Sequence, residues 1–364
     1  MVNKLVLENL KFRPVRTALS VVAIGVEVTM MLTIVGLSEG MLADSQKRAR
    51  GVGADIMIRP PGSSPLSLSS APLPQKMVEW AEKQPHVAIA VGSMNHPVGG
   101  LTLVTGIDLD RFKAMSGGFR MIKGHLPRKP NEILVDRYYA RQNKLTAGSK
   151  LNLLNRDWRV SGVFEEGMLA RLVLPLAVLQ DLTSNTGKIS QIYVKLDDPE
   201  ETDEVIKDLK TKLPGYPVWS TEELVSMLAV DKVPGLREFI WVIVGLSVVV
   251  GFLVVFLSMY TAVLERTREI GILKALGASP AFVLGILFRE TLLLAIFGSA
   301  LGIGFSYGTR WLIMTLVPAS LEQIIVYGWW PIAGAIALVG ALLGAAYPGW
   351  RAARQDPIEA LSYE

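Results

Sequence analysis

Residues 239–264 read FIWVIVGLSVVVGFLVVFLSMYTAVL and contain no charged side chain. A helix that crosses a bilayer needs about 20 consecutive apolar residues, so this stretch predicts a transmembrane helix. Three further stretches meet the same requirement: residues 17–37, whose only charge is Glu27, residues 291–309, and residues 323–350. We therefore expect a membrane protein with four transmembrane α-helices and a large extracytoplasmic α+β domain between helices 1 and 2.

The composition agrees with a membrane protein. Half of the 364 residues are hydrophobic and 19% are charged, against about 25% charged residues in an ordinary soluble chain. The net charge of +4 does not indicate nucleic-acid binding. The absence of cysteine excludes disulfides, cysteine-bound metals and thiol catalysis.

The first apolar stretch is expected to be an uncleaved anchor. Its basic start resembles that of a signal peptide, but its apolar run of 21 residues exceeds the about 7–15 residues of a signal peptide. Among the short segments, the first sixteen residues, the loop after span two and the tail carry lysine or arginine, whereas residues 318–327 between spans three and four have none. Such residues stay in the cytoplasm, so both termini are expected there.

The spans divide the chain into nine predicted segments. They are a cytoplasmic N-terminal segment (1–16), span one with its outer extension (17–50), an extracytoplasmic core domain (51–222), an outer extension with span two (223–264), a cytoplasmic helix (265–280), span three (281–312), an extracytoplasmic loop (313–326), span four (327–350) and a cytoplasmic tail (351–364).

The extracytoplasmic segment alternates between strand and helix patterns. Strands are predicted over 54–59, 87–91, 101–106, 132–135, 150–154, 158–164 and 189–196, and helices over 75–83 and 199–213. A helix over 222–229 is expected to lead toward span two, interrupted at Pro234 and Gly235. This pair is a hinge, or it only ends the external helix, and both interpretations stay open.

No catalytic motif emerges. Residues 36–40 fit the pattern G-x-S-x-G around Ser38. A nucleophile elbow follows a strand, whereas these residues follow a predicted membrane span. The phosphate-binding pattern G-x-x-x-x-G-K-[ST] is missing from the sequence. The three histidines lie far apart. We predict no catalytic residue, no metal site and no cofactor held by this chain.

Glu27 lies inside a span, where a charge costs at least a few kcal/mol. It faces cargo or a gate, or it is a neutral carboxyl bonded to a neighbouring helix. Glycines recur four residues apart at Gly298 and Gly302, at 304 and 308, and at 340 and 344. Such faces allow close helix packing, within this chain or in a dimer.

Residues 265–279, ERTREIGILKALGAS, are the most informative cytoplasmic stretch. Charged residues fill the first turn and apolar residues follow. Gly277 comes after them, and glycine is the residue at which helices commonly end. A short amphipathic helix between two spans suits docking of a cytosolic partner.

This stretch resembles the signature E-R-T-x-E-I-G-x-x-x-A-x-G-A of the MacB/FtsX/LolC-E type of ABC permease. The matching residues are Glu265, Arg266, Thr267, Glu269, Ile270, Gly271, Ala275, Gly277 and Ala278. The tail PGWRAARQDPIEAL (348–361) is similar to the family's P-x-x-x-A-A-x-x-x-P-x-x-A-L. The four-span layout resembles the family as well, and residues 130–135 and 159–164 resemble its periplasmic core domain more loosely.

The resemblance implies a permease in a bacterial inner membrane that pairs with a second copy, simplest as a homodimer. ATP and magnesium would be held by a separate ATPase chain, since no fused nucleotide-binding domain is expected here. A periplasmic adaptor and an outer-membrane channel are possible further partners. The ATPase-coupling residues would be Glu265, Arg266, Thr267, Arg268, Glu269, Gly271, Ala275 and Gly277. The function implied is extrusion or extraction of a hydrophobic, peptide-like, lipid or lipoprotein cargo; the alternative is regulation of a cell-wall hydrolase or sensor without transport.

Overall fold

The computed structural model describes residues 2–63, 72–99, 102–317 and 321–356. The chain divides into two compact units. The helical unit holds Met1–Ser38, Gly235–Ile313 and Gln323–Glu364, and the sheet unit holds Glu39–Pro234 and Met314–Glu322.

The secondary structure follows the chain in this order. It comprises α1 (Val2–Phe12), α2 (Pro14–Arg50), β1 (Ile56–Ile58), β2 (Leu73–Pro74), α3 (Lys76–Glu82), β3 (Val87–Gly99), β4 (Thr102–Ile107), α4 (Leu109–Ser116), β5 (Met121–Gly124), β6 (Glu132–Asp136), α5 (Arg137–Gln142), β7 (Lys150–Leu153), β8 (Arg156–Phe164), β9 (Leu172–Pro175), α6 (Leu176–Leu182), β10 (Lys188–Ile189), β11 (Gln191–Leu196), a 3-10 turn (Pro199–Glu201), α7 (Thr202–Lys212), β12 (Val218–Ser220), α8 (Thr221–Met227), α9 (Leu236–Glu265), α10 (Thr267–Ala275), α11 (Pro280–Leu316) and α12 (Trp329–Arg354).

Four helices are long and apolar enough to cross a membrane within the described part of the chain: α2, α9, α11 and α12. They contain 37, 30, 37 and 26 residues. The sheet unit's strands all lie between α2 and α9 in sequence. The predicted fold class, four transmembrane helices with an α+β domain after the first, is confirmed.

Glycines set the close approach of helices in the helical unit. A Cβ added to Gly298 of α11 would lie 2.6 Å from Cβ of Ile24 on α2, and one on Gly344 of α12 would lie 2.8 Å from the Phe252 carbonyl oxygen on α9. Gly304 and Gly308 differ, since an added Cβ would meet no atom within 4 Å. Two of the three predicted glycine pairs therefore serve packing within this chain.

The sheet unit contains one large mixed sheet. Its strand order is β12-β1-β11-β3-β4-β9-β6-β8-β5, with β7 paired to β8, and β10 pairs separately with β2. The pairs β4–β9 and β6–β8 are parallel, and the other pairs are antiparallel.

Both faces of this sheet are covered. Successive side chains of a strand point to opposite faces, and accordingly Ile56 and Ile58 of β1 belong to one apolar core while Met57 belongs to the other. Helices α3, α6 and α7 contribute to the first core, and α4 and α8 contribute to the second. Ala49, near the outer end of α2, packs against the second core.

Several elements of the sheet unit escaped prediction. Helices α4, α5 and α6 have only six to eight residues, too few to show a helical period. Strand β9 is buried on both faces, so it lacks the alternation that marks a half-buried strand. The helix expected over 222–229 is α8, which ends at Met227 and does not continue into α9. Tail-motif residues 357–361 lie outside the described residues.

Candidate functional site

The predicted coupling segment forms α10, which follows α9 after a break at Arg266. Arg266 has φ −110° and ψ 16°, and this non-helical backbone separates the two helices. Thr267, Ile270 and Gly271 of α10 are buried. Their spacing of three and four residues places them on one face of the helix.

The opposite face of α10 is exposed. Arg268 and Glu269 are exposed, Ile272 is partly so, and Leu276, directly after the helix, is 81% exposed. Two apolar side chains thus lie beside two charged ones on the exposed side of this segment. We call Arg268, Glu269, Ile272, Ala275 and Leu276 the α10 outer face.

A fully buried carboxylate anchors the start of α10. Glu290 of α11 has 0% exposure; its Oε1 accepts a hydrogen bond from Nη2 of Arg16 at 3.0 Å, and its Oε2 accepts one from Nη1 of Arg266 at 3.2 Å. Nη2 of Arg266 also donates to the Asn9 carbonyl oxygen at 3.1 Å. The Glu290 cluster (Glu290, Arg16, Arg266) thus joins α1, α2, α11 and the α9–α10 junction.

Glu265 forms an outer, more exposed part of these ion pairs. Its Oε2 lies 2.5 Å from Nη1 of Arg13 and 3.8 Å from Nη1 of Arg16, and its side chain is 40% exposed. Exposed ion pairs contribute only about 0–1 kcal/mol, whereas breaking a buried one costs about 3–5 kcal/mol. Glu290 is therefore the main electrostatic anchor of this region.

The other end of α10 is fixed to α12. Nζ of Lys274 donates to the carbonyl oxygens of Ala353 at 2.9 Å and Gln355 at 2.5 Å, where carbonyls at a helix end lack helical partners. Gly277 has φ +94°, a left-handed conformation that glycine adopts without steric cost. The prediction that the helix ends at Gly277 agrees with this geometry.

A cavity of about 320 Å³ lies beside α10. Apolar side chains of α9, α10 and α11 line it, together with Asn9, Arg266 and Glu269. The helix is therefore held at its two ends and packs less tightly along its middle.

The structure brings the predicted coupling residues together on this one segment, but sequence reasoning missed Arg16 and Glu290. Glu290 directly precedes the uncharged stretch 291–309, and it is fully buried between two arginines. The available signal was a carboxylate bordering an uncharged span, which needs a partner. Its partners are remote in sequence, so the pattern could not identify them.

Glu27 lies far from this segment along α2 and is 4% exposed. Its Oε1 has no hydrogen-bond partner among the described residues. Gly251 of α9 adjoins its carboxyl group, and a Cβ on Gly340 of α12 would lie 3.9 Å from Oε1. Its proposed contact with cargo stays a prediction.

Pro234 and Gly235 mark the boundary between the two units in the sequence. Gly235 has φ +77° and directly precedes α9, where its carbonyl oxygen accepts from the Phe239 amide at 2.9 Å. The hinge role stays a prediction. Residues 36–40 around Ser38 lie within α2, away from the strand–turn–helix setting of a nucleophile elbow.

Two family descriptions match the chain. Residues 17–212, more than half of the chain, match the MacB-like periplasmic core domain. Residues 241–357 match the FtsX-like permease C-terminal domain. The second match includes most of α9 and all of α10, α11 and α12.

Named relatives agree with these matches. The macrolide export ATP-binding/permease protein MacB of Nitrobacter winogradskyi is 28% identical over 393 residues, covering 97% of this chain and 59% of that protein. The uncharacterized ABC transporter permease YknZ of Bacillus subtilis is 31% identical over 206 residues, covering 54% of this chain and 50% of that protein. The chain therefore spans only about half the length of these relatives.

A solved structure is also similar. It is the crystal structure of the periplasmic region of MacB from Actinobacillus actinomycetemcomitans, with TM-score 0.38 and 16% identity over 49% of this chain and 94% of that one.

Proposed function

The chain belongs to the family of MacB-like and FtsX-like ABC transporter permeases, and from that premise we propose that it is the membrane subunit of an ATP-driven exporter. Its role is to transmit the motion of an ATPase to an extracytoplasmic domain. The observation that carries this proposal is α10, which has an exposed outer face and whose two ends are attached through Arg266 to α11 and through Lys274 to α12.

The α10 outer face is the docking surface for the ATPase. It combines the charges of Arg268 and Glu269 with the exposed apolar side chains of Ile272 and Leu276. Such a mixture of an apolar centre and charged neighbours is typical of specific protein interfaces. Glu265, Thr267, Gly271, Ala275 and Gly277 shape and position this helix.

The Glu290 cluster and Lys274 transmit the motion. Movement of α10 displaces Arg266, and Arg266 is bonded through Glu290 to Arg16 on α2. Helix α2 continues without interruption from Pro14 to Arg50, and its residues 39–50 belong to the sheet unit. A helix is stiff over this length, since its 37 residues extend about 55 Å.

We assign the chain to a bacterial inner membrane with both termini and α10 in the cytoplasm, as the positions of lysine and arginine favour. ATP and magnesium belong to an ATPase on another polypeptide. A second copy of the permease completes the membrane part. A periplasmic adaptor and an outer-membrane channel are further candidate partners.

The cargo is a hydrophobic, peptide-like or lipid molecule. The Nitrobacter relative is named a macrolide export protein, and macrolides are amphiphilic. An apolar groove of about 810 Å³ between α2, α9 and α11, which Gly304 and Gly308 line, accommodates such chemistry. The sheet unit's two packed cores favour handover of cargo by motion of a folded body.

Purification of the tagged chain from its native membrane in mild detergent tests the proposal. Mass spectrometry of the protein and lipid fractions should find a P-loop ATPase, together with a periplasmic adaptor or a bound amphiphile. Glu269→Lys should lower ATPase recovery at least about tenfold, because it reverses a charge on the α10 outer face. Glu200→Lys, on an exposed residue of the sheet unit, is the matched control and should not.

Two results would contradict this account. Recovery of the ATPase with a cell-wall hydrolase or sensor kinase, and without cargo or adaptor, would favour the regulatory function. Absence of any ATPase would remove the coupling role of α10 altogether.

A further inference from the structure

Glu27 lies in the middle of the apolar part of α2, remote from other charges on its helix. The nearest ones in sequence are Arg16 and Glu39, eleven and twelve residues away, which corresponds to about 16–18 Å along a helix axis. Arg16 is engaged by Glu290. The side chain of Glu27 is 96% buried, since its exposure is 4%.

The neighbouring helices leave a space that fits this carboxyl group. Gly251 on α9 lies so close that an added Cβ would come 2.5 Å from Cδ of Glu27 and would overlap Oε2. On α12, a Cβ at Gly340 would lie 3.9 Å from Oε1 and 3.4 Å from Cγ1 of Val248. An alanine at 251 would therefore displace the carboxyl group of Glu27, whereas an alanine at 340 would leave it in place.

Among the residues that the structure describes, no ion pair joins a counter-charge to Glu27 in this space. The apolar stretches of the helices that pack around α2 carry no charged residue: 239–264 of α9, 291–309 of α11 and 329–350 of α12. Oε1 of Glu27 has no hydrogen-bond partner among the described residues. An isolated carboxylate in such surroundings costs far more than its neutral acid.

We propose that Glu27 is a proton-binding site inside the membrane bundle, and that the bound proton keeps α9 and α12 packed against α2. The neutral acid fits between Gly251 and Gly340. Loss of the proton creates an anion that has to reach water or a cation, which requires the three helices to separate. Proton binding and close packing are therefore linked.

This linkage reaches the transport cycle only if the proposed function holds, because ATP-driven motion of α2 would then alter the affinity of Glu27 for its proton. The proton site itself does not depend on an ATPase. Its first test therefore uses the purified full-length chain alone, so that failure of the site and failure of the transport proposal give different results.

The test is labelling by dicyclohexylcarbodiimide, an apolar reagent that enters the membrane interior. The acid transfers its proton to a reagent nitrogen while a carboxyl oxygen adds to the central carbon. The O-acylurea then rearranges to a stable N-acylurea that retains all atoms of both partners. Peptide mass spectrometry should place one adduct on Glu27, at least about tenfold less at pH 9 than at pH 6, because only the acid supplies the proton.

A water-soluble carbodiimide is the matched reagent. It should modify exposed Glu269 and leave Glu27 unmodified. Glu27→Gln should abolish the apolar adduct and preserve the thermal midpoint, because an uncharged amide replaces a neutral acid of the same shape. The proposal is overturned if Glu27 stays unlabelled by the apolar reagent, if its labelling does not fall with pH, or if Glu27→Gln lowers the midpoint as loss of a paired anion would.

Glycine substitutions test whether the Glu27 carboxyl group packs against Gly251. Gly251→Ala should lower the thermal midpoint and expose Glu27 to the water-soluble reagent, and combining it with Glu27→Ala should restore the midpoint. Gly340→Ala and Gly245→Ala are controls on α12 and α9 where the added methyl group has room. Equal behaviour of Gly251→Ala and these controls would refute the fit between Glu27 and Gly251.

Discussion

At the scale of residues, three buried carboxyl groups show how the fold sets the surroundings of a side chain: Glu290, Glu27 and Asp136. Each borders or lies within an apolar stretch of the sequence. Glu290 has two arginine partners, Glu27 has none among the described residues, and Asp136 caps a helix. The sequence predicts that such residues matter, but their partners come from distant segments, so their roles require the fold.

Glu290→Gln should destabilise the helical unit by about 3–5 kcal/mol, because Arg16 and Arg266 would lose their buried carboxylate. The thermal midpoint of the purified chain measures this. Glu265→Gln is the matched control at the exposed end of the same ion pairs, with an expected cost of about 0–1 kcal/mol. Equal effects of the two substitutions would contradict the importance given to burial.

Asp136 in the sheet unit should make stability depend on pH. Burial raises its pKa to about 7, against the lowering effects of the Tyr139 amide and nearby Arg171, while an unfolded aspartate has a pKa of about 3.9. Between these values the folded chain keeps a proton that the unfolded chain has lost. The free energy of unfolding should therefore fall as pH rises from about 4 to 7 and level off above.

Asp136→Asn should remove this contribution to the pH dependence of the free energy of unfolding. It should keep the helix cap, because the asparagine side-chain oxygen can still accept the hydrogen bond that the Tyr139 amide donates to Asp136 at 2.7 Å in the wild-type chain. Thermal midpoints over that pH range provide the measurement. Asp108→Asn, at the exposed cap of α4, is the control and should retain the slope. A slope unchanged in Asp136→Asn would assign the pH dependence to other groups.

At the scale of elements, α10 shows what sequence can and cannot predict. Its amphipathic pattern and its end at Gly277 can be predicted from the sequence, because helical periodicity and a glycine at the helix C-terminus are local signals. The attachment of Lys274 to the end of α12 was not readable, because it joins segments about 80 residues apart. In the sheet unit the short helices and the doubly buried β9 were missed for lack of a local period.

Gly277→Ala should weaken the end of α10. Its φ of +94° disfavours alanine by about 1–2 kcal/mol, so we expect a lower thermal midpoint and reduced ATPase recovery in the co-purification. Gly285→Ala in α11 is the control: it has open space for the methyl group and should stabilise by up to about 1 kcal/mol. If Gly277→Ala changed neither the thermal midpoint nor the ATPase recovery, this turn would not position the helix.

At the scale of the whole molecule, the four spans and the intervening α+β domain were predicted because bilayer thickness imposes a long apolar run on each helix. The strand order of the sheet was not predictable, since strands remote in sequence, such as β4 and β9, lie side by side. Orientation rests on the lysine and arginine positions alone.

The cysteine-free sequence makes orientation easy to test. Glu200→Cys should react with a membrane-impermeant maleimide on intact cells with a permeable outer layer. Leu276→Cys should react only after the inner membrane is opened. The opposite labelling pattern would invert the topology and place α10 outside, where no ATPase could dock.

The most direct test of the account follows hydrogen exchange in the permease, co-purified with its ATPase, with and without a non-hydrolysable ATP analogue. In the wild-type chain, the analogue should change exchange in α10 and in residues 39–50 of α2. In Glu290→Gln the change should persist in α10 and disappear from residues 39–50, while Glu265→Gln should behave as wild type. An unchanged response of residues 39–50 in Glu290→Gln would contradict transmission through the Glu290 cluster.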